Sequence, residues 1–178
     1  FEPPKTDGSG NIRRNLRAAL KLMKEAGWTV DPKTKLLTSA TSGETMSFEI
    51  LLVGPLFERI ALPFTRNLKR LGVEARVRTV ESAQYKERID NFDFDMVVGS
   101  WGQSASPGNE QRDYWSSTAA DREGSRNTAG IKDPAIDDLV PKNVDHTDRA
   151  PRGTGARGPR RGVVWDRFVV HPAAVNRE

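Results

Sequence analysis

The chain has 178 residues, 36% hydrophobic and 29% charged, with no cysteine and a formal net charge of +4. That balance suits one globular domain. It excludes disulfides, thiolate nucleophiles and cysteine-based metal sites, and no run approaches the ~18–20 apolar residues of a membrane helix.

From the start, Phe1-Glu2-Pro3-Pro4 is neither basic nor followed by an apolar core, so no secretory leader is expected in it. Pro3 to Gly10 reads as a loop. Ile12, Leu16, Ala19, Leu20, Met23 and Ala26 then recur at helical spacing with Arg and Lys on the other face, and Gly27 supplies a left-handed stop. Trp28 to Thr45 is read as a short ribbon or loop punctuated by Pro32 and Gly43.

Ser47 to Val53 is a strand whose end is apolar on both faces, as in a buried parallel sheet. Leu56 to Leu71 is the next helix, with Leu56, Ile60, Phe64, Leu68 and Leu71 expected on one face, and with Pro63 expected to kink or break it. Val73 to Val80 alternates strictly and predicts a strand with one wet face. Ser82 is expected to N-cap a short helix with Tyr85 and Ile89 inward. Phe94 to Val98 is the third strand.

This strand–helix alternation favours a mainly parallel sheet with right-handed crossovers. Ligands of such sheets sit beyond the carboxyl ends of the strands. The loop from Gly99 to Arg112 is therefore the likeliest place for function on topology alone.

Three stretches carry a resemblance. Gln84-Tyr85-Lys86-Glu87-Arg88, then Phe92-Asp93-Phe94-Asp95-Met96 and Gly99-Ser100-Trp101-Gly102, form the first. Ala18 to Trp28, ending Lys24-Glu25-Ala26-Gly27-Trp28, and Asn127 to Asp137 are the others. Taken in chain order they resemble the C-terminal lobe of family 5 extracellular solute-binding proteins, the dipeptide and oligopeptide receptors of ABC importers. Trp101-Gly102-Gln103-Ser104-Ala105-Ser106-Pro107-Gly108-Asn109-Glu110-Gln111 is similar to the subgroup that includes the microcin C-type receptors.

The resemblance implies an α/β fold. The chain would be part of the C-terminal lobe of a two-lobed, type II periplasmic binding protein, with a mainly parallel sheet and flanking helices. It further implies a peptide ligand, membrane permease subunits as partners, a missing N-terminal lobe of the same receptor, no catalysis and no cofactor. Trp101, Gln103, Ser104, Ser106 and Asn109 are the residues expected nearest the ligand. Many relatives keep an aspartate that pairs with the peptide amino group. Ser104 stands at the matching position and cannot supply that charge, and Glu110 is the neighbouring carboxylate.

Other side chains have blander readings. His146 and His171 are the only histidines, and no His-x-x-x-His, Gly-x-Ser-x-Gly or Gly-x-x-x-x-Gly-Lys spacing accompanies them. Asp93 and Asp95 are expected to flank a strand entrance rather than hold a metal. Trp28, Tyr114 and Trp115 are expected to pack, while Trp101 is open between ligand stacking and core packing.

Residues 1–143 form the expected lobe, 144–162 a Gly/Pro/Arg-rich irregular segment, and 163–178 a short family-like remnant. Residues 144–178 hold seven arginines and four acids, and the remainder is nearly neutral. The alternative to a receptor piece is a standalone α/β interaction domain whose basic tail touches nucleic acid. That tail lacks interleaved aromatics over 150–162, so no nucleic acid is expected. Back-translation of Ala150 to Arg160, read one base later, permits a helical string of the family's type, which points to a local frameshift. Sequencing the DNA across codons 143–165 is expected to reveal the displaced base, and an intact frame in several isolates overturns the frameshift.

Overall fold

A computed structural model describes residues 8–102 and 108–145. The described residues fall into two compact units, 8–88 with 93–99, and 89–92 with 100–102 and 108–145.

In the first unit, α1 (Arg13–Glu25) follows the expected period and stops at Gly27. Its Leu16, Ala19, Leu20 and Met23 pack on a cluster built around Leu37, Leu71 and Val73, which also takes Trp28. Ala26 stays exposed. The stretch after it is an antiparallel hairpin of β1 (Trp28–Val30) and β2 (Leu37–Ser39).

The main sheet contains β3 (Ser47–Val53), β4 (Glu74–Val80) and β5 (Met96–Val97), in the order β4-β3-β5 and parallel throughout. Successive strand residues face opposite sides. Ile50, Leu51 and Leu52 are all buried, so central β3 is covered on both faces, as its unbroken apolar run predicts. On one face, Ile50 and Leu52 pack with Ala61 and Phe64 of α2 (Glu58–Lys69). On the other, Arg88 of α3 (Ser82–Asp90) reaches Glu49 at 2.8 Å. One crossover helix on each face is what right-handed connections require when the chain moves from β3 outward to β4 and back past it to β5.

Several expectations shift in detail. A 3-10 turn over Pro55–Phe57 precedes α2, and the helix runs through Pro63 without ending. The expected inward row also holds only in its second half. Within α2, steps of four residues drift by about 40° each, so Phe64 and Leu68 face inward while Ile60 is exposed; Leu71 packs inward beyond the helix end, and Leu56 is exposed on the 3-10 turn. Ser82 is the first residue of α3, and the third strand shortens to Met96–Val97.

Two helices end in paired hydrogen bonds around a left-handed residue. After α2, the N–H groups of Gly72 and Val73 donate to the carbonyls of Lys69 and Leu68. A Cβ on Gly72 would meet the backbone of Leu37 and Lys35 at 2.9 Å, so only glycine fits. After α3, Phe92 takes the left-handed place at φ 55°, and Phe92 and Asp93 donate to Ile89 and Arg88.

The second unit contains α4 (Glu110–Trp115), a 3-10 turn over Ser117–Ala119, and α5 (Pro134–Asp145). Its core is Tyr114, Trp115, Ile131, Ile136 and Val140. Asp133 caps α5 by accepting the Ala135 N–H at 2.8 Å, and Pro134 occupies the first helical position, where no N–H is needed. The helix passes Pro141 and extends beyond the expected boundary at 143. Of the expected irregular segment 144–162, residues 146–162 lie outside the described residues, as does the expected remnant 163–178.

Leu51→Ala is expected to cost about 2–5 kcal/mol, because it empties a fully buried position. Leu22→Ala, at an exposed position of α1, is expected to change stability by less than about 0.5 kcal/mol. Urea denaturation midpoints check both.

Candidate ligand-binding site

The residues expected nearest the ligand lie on and after the stretch that leaves β5. Trp101 and Asn109 are described, whereas Gln103, Ser104 and Ser106 lie outside the described residues. What the structure defines is the frame on either side of 103–107.

Trp101 is half-buried in the second unit. Its ring lies 5.2 Å from that of Trp115, tilted by 35°. Its indole N–H donates to the Arg126 carbonyl at 3.1 Å. Trp101 thus packs in the aromatic core, and its polar handle is already used. Tyr114 stands edge-on to Trp115 at 6.1 Å. The Tyr114 hydroxyl donates to the Gly102 carbonyl at 3.0 Å and accepts from Arg126 Nη1 at 3.0 Å. The Arg126 guanidinium also lies over the Tyr114 ring, 5.0 Å from its centroid.

The other flank is held by a relay of side chains. The Trp115 indole N–H donates to Gln111 Oε1 at 3.0 Å. Gln111 Nε2 donates to Glu110 Oε1 at 3.3 Å, and the same oxygen accepts the Gly108 N–H at 2.8 Å. Gln111 is almost wholly buried, so these partners satisfy an amide that would otherwise be costly. A Cβ on Gly108 would fall 2.9 Å from Glu110 Oε2, so a larger residue there would displace that flexible carboxylate end. The Gly108 N–H holds the Glu110 carboxyl below its ordinary value. Asn109 is exposed at the head of α4, and its side chain makes no capping hydrogen bond.

Gly102 and Gly108, the two stems of 103–107, are therefore both tied to α4. Behind it lies a further pin. Asn127 is fully buried, its Nδ2 donates to the carbonyls of Ser116 and Ile131 at 3.0 and 2.9 Å, and its Oδ1 accepts the Ile131 N–H at 2.9 Å.

Tyr114 and Trp115 pack as expected. The roles of Gln111 and Arg126 did not emerge from sequence. The i, i+4 spacing of Gln111 and Trp115 on one helix face was the available signal for the first, and nothing local foreshadows Arg126 over Tyr114. Asp93 and Asp95 serve the strand region as expected. Asp93 pairs with Arg88 at 2.9 Å, and Asp95 Oδ2 accepts the Glu49 N–H at 2.9 Å. Among the described residues no three His, Cys, Asp or Glu side chains converge as metal ligands, and no helix is long and apolar enough to cross a membrane.

The family model described as bacterial extracellular solute-binding proteins, family 5 Middle, matches residues 1–123. The chain belongs to this family. Among its relatives, y4wM of Sinorhizobium fredii is 51% identical over 158 residues, which is 89% of this chain and 24% of the relative. The probable peptide-binding protein YejA of Agrobacterium fabrum is 43% identical over 170 residues, 96% of this chain and 27% of the relative. The chain thus spans about a quarter of the length of these curated relatives. Among solved structures, the oligopeptide-binding protein AppA of Bacillus subtilis, in complex with a nonapeptide, superposes with a TM-score of 0.72 at 24% identity, covering 90% of this chain and 32% of AppA. The fold is that of a type II periplasmic binding protein, and the family 5 chain carries part of it.

Glu110 generates a pH prediction. A carboxyl whose folded value is depressed contributes stability above its ordinary value, and loses it as pH falls through the depressed one. Glu110→Gln is expected to lower Tm at neutral pH, and the difference from the unsubstituted chain is expected to narrow as pH falls below the ordinary glutamate range. Thermal melts across pH 3–7 check the convergence.

Proposed function

We propose that the chain is part of the C-terminal lobe of a periplasmic receptor that captures peptides for an ABC importer, in the subgroup that includes the microcin C-type receptors. Membership in family 5 supports the binding role, and the relative named a probable peptide-binding protein supports the ligand class. The observation that carries the assignment to 103–107 is the double tether: Tyr114 holds the carbonyl of Gly102, and Glu110 holds the N–H of Gly108. Fixed flanking residues limit the ordering cost of binding.

In this reading Gln103, Ser104, Ser106 and Asn109 offer polar groups to an extended peptide. Trp101 offers a ring face, since its N–H is taken by Arg126. Peptide backbones are recognised by main-chain hydrogen bonds, with side chains in tolerant pockets. An N-terminal lobe outside the chain closes over the ligand by hinge motion and presents the closed form to the permease subunits. Ser104 leaves the peptide ammonium without the carboxylate that many relatives supply there, and Glu110 is already engaged on one oxygen.

The test uses a receptor in which this chain replaces the matching stretch of the Agrobacterium fabrum relative. Peptides of three to nine residues, a range taken about the AppA nonapeptide, are expected to raise its Tm and change its tryptophan fluorescence. Ser104→Asp is expected to favour free-amine over N-acetylated peptides by roughly tenfold, the scale of one charge-assisted hydrogen bond. A receptor that melts cooperatively yet responds to no peptide overturns the proposal.

A further inference from the structure

Helix α2 has two apolar faces, and the first unit uses one of them. Ala61, Phe64 and Leu68 turn inward on the sheet and the hairpin cluster. Ile60 and Pro63 lie on a second side of α2 that ends at the exposed Asn67, and Leu56, on the 3-10 turn just ahead of the helix, extends this apolar row. Leu56 is 62% exposed and Ile60 59%, and Phe57 and Val53 beside the row are exposed as well. Scattered exposed leucines are ordinary, but a continuous apolar row on a helix already packed on its other side marks a surface that something covers.

We propose that this row, with Phe57 and Val53, is the seam against which the remaining part of the receptor packs. The inference rests on the reading of the chain as a piece of that receptor. The chain spans about a quarter of the length of its curated relatives, so roughly three quarters of such a protein is available to cover the row. The charge pattern describes what fits. Arg59 and Arg66 border the row on its solvent side, and neither forms an ion pair among the described residues. The covering surface is aliphatic at its centre, facing Leu56 and Ile60, and carries carboxylates at the edge that meets the two guanidinium groups. Neutral apolar centres with charge at the rim are the usual composition of such contacts.

The absence of cysteine makes the test direct. Ile60→Cys and, on the opposite side of α2, Lys69→Cys are made in the isolated chain and in the same receptor chimaera, with the relative's own cysteines replaced by serine. In the isolated chain both thiols are expected to react with maleimide at similar rates. In the chimaera, Ile60→Cys is expected to slow by at least about tenfold, while Lys69→Cys is expected to change little. An Ile60→Cys thiol that stays equally reactive in a chimaera that binds peptide overturns the seam and leaves the receptor reading intact. A protected thiol in a cooperatively melting chimaera that binds no peptide upholds the seam and removes the peptide reading. If the chimaera does not melt cooperatively, the same two cysteines go into the aligned positions of the Agrobacterium relative, with the same criteria. Concentration-dependent protection of Ile60→Cys in the isolated chain identifies a second copy as the occupant and overturns the proposal.

Discussion

The first unit depends on burying β3 from both sides. A strand that places Ile50 and Leu52 on one face and Leu51 on the other must be central, must have neighbours on both edges and must be roofed twice. Parallel neighbours then demand crossover helices, and the fixed hand of the crossovers assigns α2 to the Ile50–Leu52 face and α3 to the face of Glu49. The polar contacts follow from that frame. Arg88 can bridge Glu49 and Asp93 only because α3 lies across the sheet from α2, and Asp95 satisfies the Glu49 N–H just ahead of the short pairing with β5.

The second unit is organised differently. Its α4 has only six residues, and buried amides and aromatic hydroxyls do much of the positioning that a longer ladder would do. Asn127 replaces secondary structure for Ser116 and Ile131, and Gln111 passes the Trp115 indole's hydrogen bond on to Glu110. Such groups stabilise only when every partner is present, since a buried amide without one loses more than an exposed hydrogen bond contributes. The tethers at Gly102 and Gly108 are products of this network.

A further part of the receptor packing here, as proposed, accounts for the exposed apolar row on and just ahead of α2. A helix with two apolar faces is wasteful in a free-standing domain and economical in a larger protein, where each face meets a different neighbour. The same logic accounts for the failed half of the expected helix face. One stripe is expected, but drift along α2 turns Ile60 outward and Phe64 and Leu68 inward, and Leu56 stands exposed on the 3-10 turn ahead of the helix.

Local chemistry determined a good deal by itself. The i, i+3, i+4 spacing of α1, the unbroken apolar run of β3, the alternation of β4 and the glycines after α1 and α2 all act within a few residues, so the parallel α/β order was legible. The family was legible too, because its motifs recur in order from Ala18 to Asp137. Contacts between distant positions were decided only by the tertiary structure. Arg126 over Tyr114, the indole of Trp101 against a backbone carbonyl, and Phe92 in a left-handed turn each depend on groups brought together from far along the chain or on a helix end closing around them. Residue type and spacing state which side chains can make such contacts. Packing selects the ones that are made, because burying a polar group or a ring is favourable only where its complement already stands.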